Sequence, residues 1–270
     1  DIWNQQAYLK ASNTDAGDQF GAGVSLSGDG TTLAVGAWGE ASNDTGIDGN
    51  EANNDESFSG AVYLFTFSGG LWTQQGYLKA NNAEANDLFG FVVGLNTDGN
   101  TLAVGAIGES SSSNGVGGNP VSNGAINSGA VYVFTRSAGI WDQQAYIKAS
   151  NTGMNDQFGF ALNLSSDGNT LAVGAYSEGS NAIGVGGDSL DNSAANSGAV
   201  YVFTRSSGLW DQQAYIKASN TQAGDRFGFA LSLSADGTTL AVGADLEDSN
   251  GINGDQTNNS RVDSGAVYLY

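Results

Sequence analysis

Two stretches decide how this chain folds: FGFALNLSSDGNTLAVGAYSE at residues 158–178 and GAVYVFTRSSGLWDQQAYIKA at residues 198–218. The first opens with Phe158 to Ser165, turns at Asp167-Gly168, and continues as Thr170 to Ser177. An Asp-Gly pair between two apolar segments is a strong short-range hairpin signal, because glycine accepts the positive φ that the turn needs. The second stretch reads as Gly198 to Arg205, a Ser-Gly turn, and Trp210 to Ala218. Leu171 to Ala175 and Ala199 to Phe203 are nearly continuous apolar runs, whereas a strand with one wet face would alternate. The unit is therefore four short strands, A to D, whose middle two are covered on both faces.

The same unit recurs with a step of 69 residues. Trp3, Trp72, Trp141 and Trp210 keep that step, as do Asp-x-Phe-Gly at Asp18, Asp87, Asp156 and Asp225 and Leu-Ala-Val-Gly-Ala at Leu33, Leu102, Leu171 and Leu240. Ser-Gly-Ala-Val-Tyr begins at Ser59, Ser128, Ser197 and Ser264, the last interval being shorter by two residues. A four-stranded sheet covered on both faces needs neighbours of its own kind, and sheets stacked around an axis supply them. The chain opens on a lone strand D, Trp3 to Lys10, and stops after a strand C. These observations predict an all-β, four-bladed β-propeller, one domain over 1–270, with four antiparallel strands per blade. The blades are 18–80, 87–149, 156–218, and 225–270 completed by 1–12, so that the N-terminal strand closes the ring.

Composition narrows the function classes. The 28 acidic residues outnumber the 8 basic ones, for a net charge of −20, a balance that repels phosphate backbones and anionic headgroups. The expected partners therefore include no nucleic acid, and no apolar run is long enough for membrane insertion. With no histidine and no cysteine, the common nucleophile–base pairs and most catalytic zinc sites have no ligands to build on. A pair of carboxylates could still serve a glycosidase, but the recurrent acids here recur four times, whereas a catalytic pair occurs once. The expectation is a protein that is not an enzyme. The absence of cysteine also fits a secreted or cell-surface protein.

The motif order Phe158-Gly159, Asp167-Gly168, Val173-Gly174-Ala175 and Gly198 to Phe203, repeated in all four copies, resembles the FG-GAP repeat of integrin α-subunit propellers. That resemblance covers the whole chain. It implies a β-propeller and an extracellular adhesion or recognition role, with calcium as the family's ion. The resemblance is incomplete, because integrin-like propellers have seven blades. The family's calcium loop between strands A and B is also reduced to one carboxylate per copy, Asp29, Asp98, Asp167 and Asp236. Calcium takes six to eight oxygens, so these Asp-Gly pairs read as plain turns.

Strand direction gathers the B-to-C loops on one face, and at roughly 20 residues each they exceed ordinary hairpin loops. The candidate ligand-binding residues lie there. Glu40, Glu109, Glu178 and Glu247 begin the loops, Asn54, Asn123, Asn192 and Asn259 follow, and Trp38 stands where the other copies have Ile107, Tyr176 and Asp245. The Glu and Asn series also suit hydrogen bonds that tie each loop to its blade. A calcium site within the loops would use Asp44, Asp48 and Glu51 beside Glu40 in the first copy, and Asp248, Asn250, Asn253 and Asp255 beside Glu247 in the fourth. The second copy has no further carboxylate between Glu109 and Ser128. Lys10, Lys79, Lys148 and Lys217 end each strand D at this face and are expected to pair, in solvent, with the aspartates that precede strand A. The recurrent tryptophans and tyrosines read as packing between blades, with sugar stacking as the alternative.

Three functions compete. One is a propeller that binds a protein or glycan through its loops, and another is a filament subunit that passes its first strand to a neighbour. The third is a calcium-dependent lectin. Asn43, Asn163 and Asn258 open Asn-x-Ser/Thr sequons, relevant where such sites are glycosylated.

Overall fold

The computed structural model describes residues 2–251 and 254–270 of the chain. The four sheets follow the four copies. β1 (Val24–Leu26), β2 (Thr32–Ala37), β3 (Ala61–Ser68) and β4 (Leu71–Leu78) form the first in that order. β5 (Phe89–Leu95), β6 (Thr101–Ala106), β7 (Ala130–Ser137) and β8 (Ile140–Ile147) form the second. β9 (Ala161–Leu164), β10 (Thr170–Ala175), β11 (Ala199–Ser206) and β12 (Leu209–Ile216) form the third. β13 (Phe227–Leu233), β14 (Leu240–Ala244) and β15 (Ala266–Leu269) form the fourth. Within the sheets all strand pairings are antiparallel, and the molecule is a four-bladed β-propeller.

The turns are set by residue type. Strands C and D meet at Ser207-Gly208, whose φ angles of 53° and 81° are those of the mirror-image turn that matches strand twist. Its counterparts are Gly69-Gly70 and Ala138-Gly139. At the A–B turn Asp167 accepts the backbone N–H of Asn169 at 2.9 Å and the Ser165 hydroxyl at 2.6 Å. These bonds hold its carboxyl below the usual aspartate range, the Ser165 hydroxyl acting most strongly.

The apolar runs lie where two blades meet, so the core is a series of layers between sheets. One layer joins Val62, Leu64 and Leu78 of the first blade to Phe89, Val104 and Tyr132 of the second. The next joins Val131, Val133 and Ile147 to Phe158, Val173 and Tyr201. Within each blade the Phe of Phe-Gly sits edge-on to two aromatics of strand C. Phe158 lies 5.3 Å from Tyr201 and 6.1 Å from Phe203 between ring centroids, contacts worth about 0.5–1.5 kcal/mol each beyond burial.

Glycines bring the backbones of neighbouring blades together. A Cβ placed on Gly36, Gly105 or Gly174 would lie 2.0, 2.3 or 2.2 Å from the carbonyl oxygen of Gly90, Gly159 or Gly228. Hydrogen bonds repeat the same linkage at the tight-turn face, where Gly28 N–H donates to Thr97, Thr97 to Ser166, and Ser166 to Ala235.

The expected closure by the N-terminal strand is not drawn by hydrogen bonds between sheets. Residues 2–10 form no strand, the fourth sheet has three strands among the described residues, and no hydrogen bond joins it to the first. Trp3 is 97% exposed, whereas Trp141 and Trp210 are 7% and 6% exposed. Residues 11–14 are held to the first blade, where Tyr63 Oη donates to Asn13 Oδ1 at 2.5 Å and Asn13 Nδ2 donates to the Glu51 carbonyl at 2.8 Å. The same anchor recurs at Asn82, Asn151 and Asn220, each following a paired strand D.

Gly105→Ala is expected to cost about 1–3 kcal/mol in urea denaturation, since the methyl group must displace backbone. Gly139→Ala, with φ +83 but nothing within 4 Å, is expected to cost about 1 kcal/mol.

Candidate functional site

The long loops, 38–60, 107–129, 176–198 and 245–265, share one face with the D-to-A connections. Behind the first three lies a buried ion pair. Lys79, Lys148 and Lys217 Nζ donate to Glu40, Glu109 and Glu178 Oε2 at 2.8, 2.7 and 2.8 Å. Each ammonium also donates to Ser59, Ser128 or Ser197 Oγ at 2.6–2.7 Å. That serine donates in turn to carbonyls at the start of its loop, as Ser128 does to Glu109 and Ser111. Strand D, the start of the loop and its end are thereby locked together. Burial pulls the lysine pKa values below the ordinary range, and the partner glutamate opposes that shift.

This arrangement corrects the expectation of a solvated pair between these lysines and the aspartates before strand A. The lysines are buried and their partners are the loop glutamates. Asp18, Asp87, Asp156 and Asp225 instead accept the N–H three residues earlier in the chain, at 2.8–3.0 Å. Burial pushes the Asp87 carboxyl up to about 8, and those of Asp156 and Asp225 up to about 6.

The loop asparagines sort by partner. Asn54 Nδ2 donates to Asp15 Oδ2 at 2.9 Å, Asn123 to Glu84, and Asn259 pairs with Gln222. The equivalent partner in the third copy is Gly153, which has no side chain, and Asn192 is exposed. Among the expected calcium ligands, Asp44 accepts the N–H groups of Thr45 and Asn50, and Asp48 accepts Tyr77 N–H at 3.0 Å. Glu51 accepts the Ser12 hydroxyl, Asp248 accepts Asp263 N–H at 2.8 Å, and Asp255 accepts Thr257 N–H at 2.9 Å. Asn250 donates to Ser260 Oγ at 3.3 Å, and Asn253 lies outside the described residues. Asp44, Asp248 and Asp255 are turned onto their own loops, whereas Asp48 and Glu51 reach β4 and Ser12. Among the described residues no three acidic side chains converge in a metal-binding group.

Two aromatic features complete the face. Trp38 is half-buried and stacks on Phe58, with centroids 6.0 Å apart and planes at 22°. Phe58 escaped the sequence reading, although Asn127, Asn196 and Asp263 in its column mark the same departure that singled out Trp38. Phe91, Phe160 and Phe229 form a row along the first strands of three blades, at 5.3 and 5.2 Å. Tyr176 joins it 4.3 Å from Phe160, with Arg226 5.8 Å from the Tyr176 ring centroid. The Phe-Gly-Phe triplet, with Ala22 in the first copy, was the available signal.

The FG-GAP repeat profile matches residues 3–65, 72–134, 141–203 and 210–270. The chain belongs to the FG-GAP repeat family. No curated protein matches this FG-GAP chain. Among solved structures it is similar to a candidate 6-phosphogluconolactonase from Bacteroides uniformis, at 13% identity over 92% of this chain and 57% of that one, TM-score 0.47. It is also similar to Saccharomyces cerevisiae Sqt1, at 10% identity over 87% and 45%, TM-score 0.46. The FG-GAP chain thus spans about half the length of these proteins, and likenesses this distant carry no functional argument.

Lys148→Met is expected to cost about 3–5 kcal/mol in chemical denaturation, because Glu109 is left charged and buried. Adding Glu109→Gln removes that charge and is expected to recover more than half of the loss. The raised aspartates set a pH dependence. Each holds its proton to a higher pH in the fold than in the unfolded chain, where it ionises near pH 4. Their stabilisation is complete below about pH 4 and is lost as pH rises toward 8. Asp87→Asn is therefore expected to raise Tm at pH 8.5 by at least about 3 °C, by less at pH 5, and to leave it unchanged at about pH 3.5, as read by calorimetry.

Proposed function

We propose that this FG-GAP propeller is a non-catalytic, extracellular recognition module that binds a protein partner through its long-loop face. The observation that carries this reading is the buried Lys–Glu–Ser lock behind the loops. It fixes both ends of the first three loops, so the ordering cost of binding there is met in the free protein. On this fixed frame stand exposed apolar side chains, Ile183, Val185 and Leu190 in the third loop and Val121 in the second. The Trp38–Phe58 pair supplies an aromatic anchor of the kind that dominates protein interfaces. The repeated acids support a non-catalytic role, since each is occupied by a lysine or a backbone amide.

The test is binding of labelled protein to arrays of extracellular matrix proteins and glycans, with and without EGTA. The expected outcome is protein ligands, insensitive to EGTA, whose binding falls at least about tenfold in a Trp38→Ser, Leu190→Ser double variant. Thr238→Ser, at the tight-turn face, is expected to change nothing. Binding that survives the loop substitutions overturns the reading, and binding confined to glycans and abolished by EGTA points to a calcium-dependent lectin instead.

A further inference from the structure

Asn-Gly is the dipeptide at which an asparagine is most open to attack by its own backbone, because glycine has no Cβ to shield its nitrogen and its dihedral angles are free. It occurs at Asn114, Asn123, Asn250 and Asn253. The first two share the second long loop and are held differently. Gly115 N–H donates to the Ala149 carbonyl at 3.2 Å, so the nitrogen that would attack Asn114 is engaged. Gly124 N–H has no acceptor among the described residues, although the chain is pinned on both sides of it. The Ser122 carbonyl accepts Ser112 N–H at 2.8 Å, and Ala125 N–H donates to the Ser110 carbonyl at 2.9 Å. Asn123 and Gly124 are both exposed.

Nothing in the backbone demands a glycine at 124. Gly115 has φ +69, in the left-handed region, whereas Gly124 lies outside it. The other copies carry Asp55, Ser193 and Ser260 in the same column. The asparagine before this glycine makes a contact of its own. Asn123 Nδ2 donates to Glu84 and ties the second loop to the connection that enters β5, as Asn54 and Asp15 do in the first copy. Asn192 has Gly153 at the partner position, and Asn259 pairs with Gln222, so neither is tied to an acid in this way. Only the second copy sets an acid-tied asparagine before a glycine.

We propose that Asn123-Gly124 is a site of spontaneous covalent modification that releases the second long loop from Glu84 as the protein ages. The Gly124 nitrogen attacks Cγ of Asn123, and its proton leaves with the side-chain amide as ammonia, which closes a cyclic imide between the two residues. Solvent water then opens one of the two imide C–N bonds. One opening leaves an aspartate at 123, and the other an isoaspartate, in which the main chain runs through the former side chain. The bond to Glu84 is solvent-exposed and contributes little net, so it opens often enough for the attack. Both products replace an amide donor by a carboxylate, which is ionised at neutral pH and has no proton to give. Glu84 then meets a like charge where it had a donor. The isoaspartate also lengthens the main chain by one methylene between the pinned residues Ser122 and Ala125.

The experiment is peptide mass mapping of protein held in warm, mildly alkaline buffer, native and in guanidinium, with fragmentation of the tryptic peptide that ends at Arg136. The mass gain of an amide becoming an acid marks each converted residue, and an isoaspartate methyltransferase assay reads the second product. In the native protein Asn123 is expected to convert at least about tenfold faster than Asn114, because Gly115 must first lose its bond to Ala149. In guanidinium the two are expected to convert alike. Gly124→Ser, which installs the residue of the third and fourth copies, is expected to slow Asn123 at least about tenfold and to leave Asn114 as it was. Its added Cβ would lie 3.0 Å from Ser112 Oγ, the end of a rotatable side chain, and a circular dichroism melt is its folding control. Amide exchange across residues 112–124 is expected to quicken at least about twofold as Asn123 converts. Glu84→Gln is expected to remove most of that increase, because a glutamine amide can donate to the new carboxylate. Asn123 that stays an amide in the native protein, or converts no faster than Asn114, overturns the proposal. Conversion with unchanged exchange overturns the release of the loop. Neither readout involves a partner, so the outcome is separate from binding at the loop face.

Discussion

An ammonium group taken out of water is tolerable only where a carboxylate and further oxygen atoms replace its hydration shell. Behind three of the four long loops the chain provides this with Lys, Glu and Ser drawn from strand D, the start of the loop and its end. The residues are far apart in sequence, and the lysine can be satisfied only when strand, loop and blade are all in place. The ion pair therefore adds less to stability than to uniqueness of position, since any other path for the loop leaves a charge buried without a partner. Loops of this length would otherwise be the mobile part of the molecule. Here their ends are among its most buried residues.

Asp87 and Asp156, before strand A, are the counterpart of this device. Their neighbours Glu109 and Glu178 are already engaged by lysine, and burial with no cation of their own favours the protonated form. The same face thus holds charges that are matched and acids whose ionisation is raised by burial, set apart by which side chain reaches the single available cation. This division explains why a strongly acidic chain can pack its connections closely on one side.

The repeat, the four-strand unit and the two-sided burial of strands B and C were legible in the sequence, because the 69-residue step and the apolar runs report contacts that recur. The partner of each lysine was not legible. Lys79, Asp87 and Glu40 all recur with the same period, and periodicity does not say which of two acids is nearer. The Asn series shows the limit from the other side: four identical residues have unequal surroundings because Gly153 stands where the others carry a polar side chain. The segment Trp3 to Lys10 is a strand by sequence and unpaired in the structure. Propensity describes what a segment can pair as and does not name its partner.

The relay of backbone hydrogen bonds from Gly28 to Thr97, Ser166 and Ala235 has an evolutionary corollary. Each link depends on the main chain and on a fixed step, and asks nothing of side-chain identity. A gene segment encoding one unit could be duplicated or deleted in frame and every remaining link would still form. Blade number is then free to drift while the joints stay the same, and novelty is confined to the loop residues that no joint employs.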